Sequence, residues 1–346
     1  MKAIIWKGIN DVAYTEVPDP ICRPGWVKIR VQAVGICATE IAMIKGDLHL
    51  AEPPHILGHE ICGDIVELGH GCDQSLLSQR VVVETYVGCG DCEFCRSGRK
   101  HLCKAGEIGY PPYNGGNAQY VVVPQGCVRQ IPDSISYDEG AIMEAVACPF
   151  GALKREAIKE GSSVLVQGAG VAGLAFVQSA LALGAGKVYC TVRNDQKAAF
   201  VQKFGGEPID LRKGNVYDQI MKLTGGNGVD VSVDALGNSD AVTSAIRCVK
   251  SGGKVILYGL QDANDSVSLP VNECITRQIQ IAGHTGNESC WDEMIQFAAD
   301  GQIDLKSMVS ATFPLERYAD ALELLGSGNS SIIKVVIHPW KDIEFN

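Results

Sequence analysis

The stretch SSVLVQGAGVAGLAFVQSALALGAGKVYCTV occupies residues 162–192 and contains one complete structural unit. VLVQ is a short apolar run, as expected of a strand buried on both faces. Gly168, Gly170 and Gly173 follow at once as G-x-G-x-x-G, then LAFVQSALALG has helical character and KVYCTV forms a second strand. In this setting each glycine has a task. The first makes a tight turn, the second lets backbone approach a pyrophosphate, and the third packs helix against strand. The helix N-terminus then faces the phosphates with its unpaired N–H groups. Strand–helix–strand in this order predicts an α/β fold with a doubly wound parallel sheet that binds a dinucleotide. Gly168, Gly170, Val171, Ala172 and Gly173 are the expected cofactor loop.

Downstream the alternation continues through QKAAFVQKFGG, GVDVSVDALG, SAIRCVKSGG and KVILYGL, where Gly259 and Leu260 join the cofactor candidates. Cofactor choice turns on the end of the second strand, where an acid marks NAD and a nearby arginine accommodates NADP. That strand ends at Val192 and is followed by Arg193, so NADP is favoured, with Lys197 or Thr191 assisting at a 2′-phosphate. NAD is the alternative, should Asp195 serve as the acid.

Upstream the texture differs. VKIRVQAV, GDIVELG, RVVVETYV and AQYVVVP are short alternating or β-branched runs punctuated by Gly, Pro and Asn. Residues 1–150 are therefore expected as a β-rich domain and 151–285 as the dinucleotide domain. The chain's 346 residues suit two domains, and the net charge of −10 disfavours nucleic acid or anionic membrane as partners. The N-terminus shows no signal-peptide pattern and no stretch of about 18 apolar residues occurs, so a soluble, cytoplasmic protein is expected. Fourteen cysteines in such a compartment argue against disulfides.

Cys89, Cys92, Cys95 and Cys103 stand as C-x2-C-x2-C-x7-C within GCGDCEFCRSGRKHLC, residues 88–103. Four thiolates at this spacing can close a tetrahedral shell round Zn²⁺, leaving no place for substrate. An iron–sulfur cluster would also take four cysteines. A saturated zinc site is structural, so a catalytic ion must lie elsewhere. Cys37 in VQAVGICATE, His59-Glu60 in ILGHEICG and Glu144 in AIMEAVACPFG supply donors of the right types for a zinc site that keeps an open position. By residue type alone, a cysteine in an apolar strand and a surface His-Glu pair are the simpler readings.

ICATE, GHEICGDIVELG, the cysteine lobe, GGNAQYVVVP, GAGVAG and GGKVILYGL, in this order, resemble the zinc-dependent medium-chain dehydrogenase/reductase family, which includes alcohol, sorbitol and threonine dehydrogenases. The resemblance implies a GroES-like catalytic domain, a Rossmann domain, a cleft between them, and a C-terminal segment (286–346) that returns to the first domain. It implies two zinc ions per chain, with Cys37 and His59 as catalytic ligands and Glu60 or Glu144 completing the set. Thr39 matches the hydroxyl of the proton relay, and dimers or tetramers are implied. The implied reaction is reversible hydride transfer between a small-molecule alcohol or ketone and NAD(P). Glu144 directs the expectation toward a polyol, sugar alcohol or cyclitol, with secondary alcohols and threonine-type amino alcohols as alternatives. A zinc-free quinone or enoyl reductase, or a non-catalytic dinucleotide-binding protein, would lack these ligands.

Departures from the family pattern are Ala42 in place of a relay histidine, Ser78-Gln79 in place of Gly-Asp before the strand at RVVV, Ala145 in place of the proline after the acid, and, around Gly286, the replacement of the arginine that sorbitol dehydrogenases carry near the active site. His49 and His55 are expected as loop histidines. VSLP, residues 267–270, is expected as a strand, either at an edge that pairs across a two-fold axis or buried within one chain.

Overall fold

The computed structural model describes residues 1–260, 266–287 and 290–340. The chain divides into two units: Met1–Ala145 with Trp291–Asp300 and Leu305–Asn346, and Val146–Cys290 with Gly301–Asp304.

In the second unit six strands form one parallel sheet, in the order Glu207–Asp210, Lys187–Val192, Ser163–Gln167, Val229–Asp234, Val249–Leu257, Gln280–Gly283. Val164, Leu165 and Val166 are fully buried, as a central parallel strand covered on both faces requires. The helix Val171–Ala182 crosses over to the next strand, burying Leu174, Phe176 and Val177. VSLP forms no strand. It leads through Pro270 into the short helix Val271–Thr276, and Val267 packs on the cluster of Val242, Ile246 and Val255. The alternation of that tetrapeptide is too short to hold a ladder against the neighbouring proline, which lacks an N–H donor.

The first unit is built on an antiparallel frame. Trp26–Gly35 pairs with Glu60–Leu68, Tyr120–Pro124 and Lys334–His338, and Val309–Pro314 lies parallel to the last of these. Its residues alternate between buried and less buried positions, so one face of Val27, Ile29 and Val31 builds the core with Ile61, Ile65, Val121 and Val335. The C-terminal strand therefore lies beside the strand that leads to Cys37. None of the fourteen cysteines is in a disulfide. Among the described residues no helix is long and apolar enough to cross a membrane.

Candidate active site

Cys37 is not in a strand. It is the extended N-cap residue between the strand Trp26–Gly35 and the helix Ala38–Lys45, so its thiol stands at a chain reversal. His59 precedes the strand Glu60–Leu68, which pairs with the strand before Cys37 through Gly35↔Glu60. That register brings the three residues together. Donor atoms of Cys37, His59 and Glu60 all lie within 4.8 Å of one another. Gly35 permits it, because a Cβ there would stand 2.1 Å from Glu60 Oε2.

Glu144, on the first turn of the helix Met143–Arg155, puts Oε2 3.9 Å from His59 Nε2. Both residues are 8% exposed. Burial alone would lower the His59 pKa, but the charge and hydrogen bond of Cys37, with the charges of Glu144 and Glu60, raise it to about 10. The donors thus converge on a point that demands positive charge. Sulfur, imidazole and carboxylate are the donor types zinc takes, and Glu60 Oε2 is buried without a hydrogen-bond partner, so the residues fit the ion.

Three supports escaped the sequence reading. Lys334, on the C-terminal strand, is buried; its Nζ donates to Glu60 Oε1 and, at 2.9 Å, to the Ile36 carbonyl. Burial works against its charge, yet Glu60, Cys37 and Glu144 hold its pKa above the ordinary value. Glu40 is also buried and accepts from Tyr318 Oη at 2.6 Å and from Asn117 Nδ2; burial raises its pKa. The turn Glu107–Tyr110 covers His59: the Tyr110 ring stacks on the imidazole at 5.6 Å between centroids, and its hydroxyl lies 3.5 Å from Nδ1. Each partner lies more than 40 residues from His59 except within Gly35–Glu60, so only the fold unites them.

Thr39 is half-buried on the helix after Cys37, and Ala42 follows on the same helix. His49 is exposed, whereas His55 is buried, with Nε2 3.0 Å from the Tyr113 carbonyl oxygen. Burial lowers the His55 pKa.

The four lobe cysteines also bring their sulfurs within 4.8 Å of one another. Backbone N–H groups of Cys89, Cys92, Cys95 and Ala105 each lie 3.4 Å from a cysteine sulfur. Donors from Asp91 and Cys92 lower the Cys89 pKa to about 6, whereas for Cys95 a backbone donor at Gly90 is outweighed by burial and the neighbouring thiols, which raise its pKa to about 11.

In the second unit Gly168 is left-handed, at φ +107°, and its N–H donates to Thr191 Oγ1 at 2.8 Å. Thr191 is buried, and its oxygen serves the glycine turn. A Cβ on Gly173 would lie 1.7 Å from the Gly168 carbonyl oxygen, while Gly170 faces open space. Val171 opens the helix, with Ala172 next to it, and no side chain caps that N-terminus. These features fit a bound pyrophosphate. Arg193 is exposed, and Lys197 is half-buried with Nζ 5.7 Å from the Phe200 ring centroid. Asp195 and Asp210 both engage Arg212. Gly259 packs tightly on Gly237, and Leu260 is exposed. GHTGNESCW includes residues 288 and 289, which lie outside the described residues, as do 341–346 of the C-terminal segment.

Residues 23–133 match the alcohol dehydrogenase GroES-like domain, and residues 171–300 match the zinc-binding dehydrogenase domain. Sorbitol dehydrogenase of Bacillus subtilis (strain 168) is 33% identical over 98% of this chain and 97% of its own. L-threonine 3-dehydrogenase of Cutibacterium acnes is 31% identical over 99% of this chain and 100% of its own. A zinc-binding dehydrogenase of Sinorhizobium meliloti 1021, solved with NADP, superposes with a TM-score of 0.91 at 28% identity, covering 98% and 99% of the two chains. The chain belongs to the zinc-dependent medium-chain dehydrogenase family. Its two units are the GroES-like and Rossmann folds of that family, and it is an NAD(P)-dependent alcohol dehydrogenase.

Proposed function

We propose that the protein reversibly oxidises a secondary hydroxyl of a polyol, a sugar alcohol or cyclitol, with NADP as hydride acceptor and two zinc ions per chain. The observation that carries the polyol reading is a further carboxylate at the cluster of Cys37, His59 and Glu60: Glu144 Oε2 lies 3.9 Å from His59 Nε2. Extra substrate hydroxyls find acceptors there. The likeness to sorbitol dehydrogenase supports the same class.

Cys37 and His59 hold the catalytic ion, with Glu60 or Glu144 as third donor, and Cys89, Cys92, Cys95 and Cys103 hold the structural one. Zinc, when bound, supplies Lewis acidity toward the alcohol oxygen, and the nicotinamide supplies the hydride chemistry. The chain's own part is positional. Tyr110, stacked on His59, fixes the imidazole plane and keeps water from that face. Lys334 pairs with the Glu60 carboxylate inside the core and holds it in place. Thr39 Oγ1 takes the hydroxyl proton and passes it outward, and Ala42, about one turn further along the helix, offers no side-chain base at its own position.

For the cofactor, no acid ends the second strand, and Asp195 is already engaged by Arg212. Arg193 is exposed at that point, with Lys197 a turn further along, which supports a 2′-phosphate. A threonine-type amino acid is the second reading, from the 31% identical relative. Its carboxylate would need a cation, and Lys334 is committed to Glu60 and Ile36.

Turnover of polyols, secondary alcohols and amino alcohols, each with NADP and NAD, tests both choices. Polyols with NADP are expected to give the highest kcat/KM. Threonine as the best substrate would overturn the polyol reading, and a preference for NAD would overturn the role of Arg193.

A further inference from the structure

The turn Glu107–Tyr110 carries a carboxylate that the reaction as described leaves unused. Its backbone is tied down on both sides: Ile108 N donates to the Thr85 carbonyl at 2.9 Å, Val87 N to the Gly106 carbonyl at 2.9 Å, and Tyr110 N to the Glu107 carbonyl at 3.2 Å. Gly109 presses on the segment before the strand, since a Cβ there would lie 3.1 Å from the Gly58 oxygen and 3.2 Å from His59 Cβ. The turn is thereby locked over His59, with Tyr110 stacked on the ring. Glu107 is half-buried at the start of this turn, three residues before the Tyr110 ring that stacks on His59. Burial raises its pKa to about 7, the His59 charge opposes that rise, and Glu144 adds to it.

No hydrogen bond or ion pair engages this carboxylate among the described residues. Glu60 is held by Lys334, Glu84 by Lys100 and Arg129, and Glu40 by Tyr318 and Asn117. A carboxylate partly withdrawn from water and without a protein donor gains from a donor that arrives with the ligand. It is not within the ligand set of Cys37, His59 and Glu60.

Building on the polyol reading above, we propose that Glu107 determines substrate specificity by accepting a hydrogen bond from a second hydroxyl of the alcohol, on the carbon next to the one oxidised. Glu144 and Glu107 then face the substrate from two elements, a helix and a locked turn. A mono-alcohol leaves Glu107 unpaired, and a vicinal diol satisfies it. A site built to bond a hydroxyl discriminates strongly against the analogue that lacks it, because its own polar group is left stranded.

The test compares three matched substrates, butan-2-ol, butane-2,3-diol and 3-aminobutan-2-ol, in wild type, Glu107→Gln and Glu107→Ala, with zinc content measured for each protein. The ratio of kcat/KM for the diol to that for the mono-alcohol is expected to fall about 30-fold in Glu107→Ala, the size of one hydrogen bond to a charged group. Glu107→Gln keeps an acceptor oxygen and is expected to lose about a third to a half of that effect on a logarithmic scale. Bound zinc should be the same in all three proteins. An unchanged ratio in Glu107→Ala, in an enzyme whose wild type prefers the diol, overturns the role of Glu107 and leaves the polyol reading intact. A wild type with no diol preference overturns both. Loss of zinc in the variants would make Glu107 a structural support instead. Equal, full loss of amino-alcohol turnover in the Gln and Ala variants, with the diol unaffected, would mean that the carboxylate reads an ammonium group and would likewise overturn the hydroxyl assignment.

Discussion

The two clusters of metal donors in the first unit are opposites in construction. The cysteine lobe offers four sulfur donors from residues 89–103, places Cys89 on the exposed surface, and turns backbone N–H groups toward its sulfurs. The cluster at Cys37 draws one donor from a helix cap, one from the residue before a strand and one from that strand's first residue, and has Glu144, Tyr110 and Lys334 around it. Its His59 and Glu60 are buried. Four thiolates would saturate a zinc ion, which on the proposed assignment leaves the lobe an architectural role, whereas a mixed set of sulfur, nitrogen and oxygen can keep the open position that chemistry requires. Local wrapping suits the first task. Long-range assembly suits the second, because donors from separate elements hold a geometry that no single flexible loop would maintain.

Cys37→Ser should separate the two most sharply. Loss of the ion at the catalytic centre removes Lewis-acid stabilisation of several kcal/mol, so kcat/KM is expected to fall about 1000-fold or more while the lobe keeps its metal. Metal analysis beside steady-state kinetics reads both quantities, and full turnover in this variant would break the distinction. Next in size is Lys334→Met, which strands the Glu60 carboxylate in the core. Removing one member of a buried ion pair costs about 3–5 kcal/mol, to be read from denaturant melts of metal-free protein. The deficit should shrink after zinc is added, since the ion supplies the lost positive charge. An equal deficit with and without zinc would detach Glu60 from the metal centre. Smallest in its effect on chemistry is Cys103→Ser. It should lower the unfolding midpoint by about 5 °C or more, through loss of the structural ion, and change kcat by less than about threefold in protein that remains folded. A large loss of kcat at unchanged stability would give the lobe a direct part in turnover.

The same contrast explains what could be read from the chain. G-x-G-x-x-G after VLVQ and the C-x2-C-x2-C-x7-C spacing are local signals: their meaning depends on neighbours a few positions away, and Gly173 and Gly168 lie in contact as that spacing implies. Cys37 and His59 carry no such signal. Their pairing depends on the register Gly35↔Glu60, so it emerged only from the resemblance of ICATE and GHEICG taken with the rest of the motifs. Lys334 is 274 residues from its partner Glu60, and SIIKVVIHP gave no hint that its one charge would be buried. Glu107 is an acid in a glycine- and proline-rich turn, which by pattern is a solvated loop. VSLP failed in the other direction. Its alternation suggested a strand, but four residues ending in proline had no ladder to join.

Crystals grown with zinc, measured at the zinc absorption edge, would test the metal assignment most directly. Two anomalous peaks per chain are expected. One should lie among the four lobe sulfurs, and the other at bonding distance, about 2.0–2.3 Å, from Cys37 Sγ and His59 Nε2. An active protein with a peak in the lobe alone would contradict it.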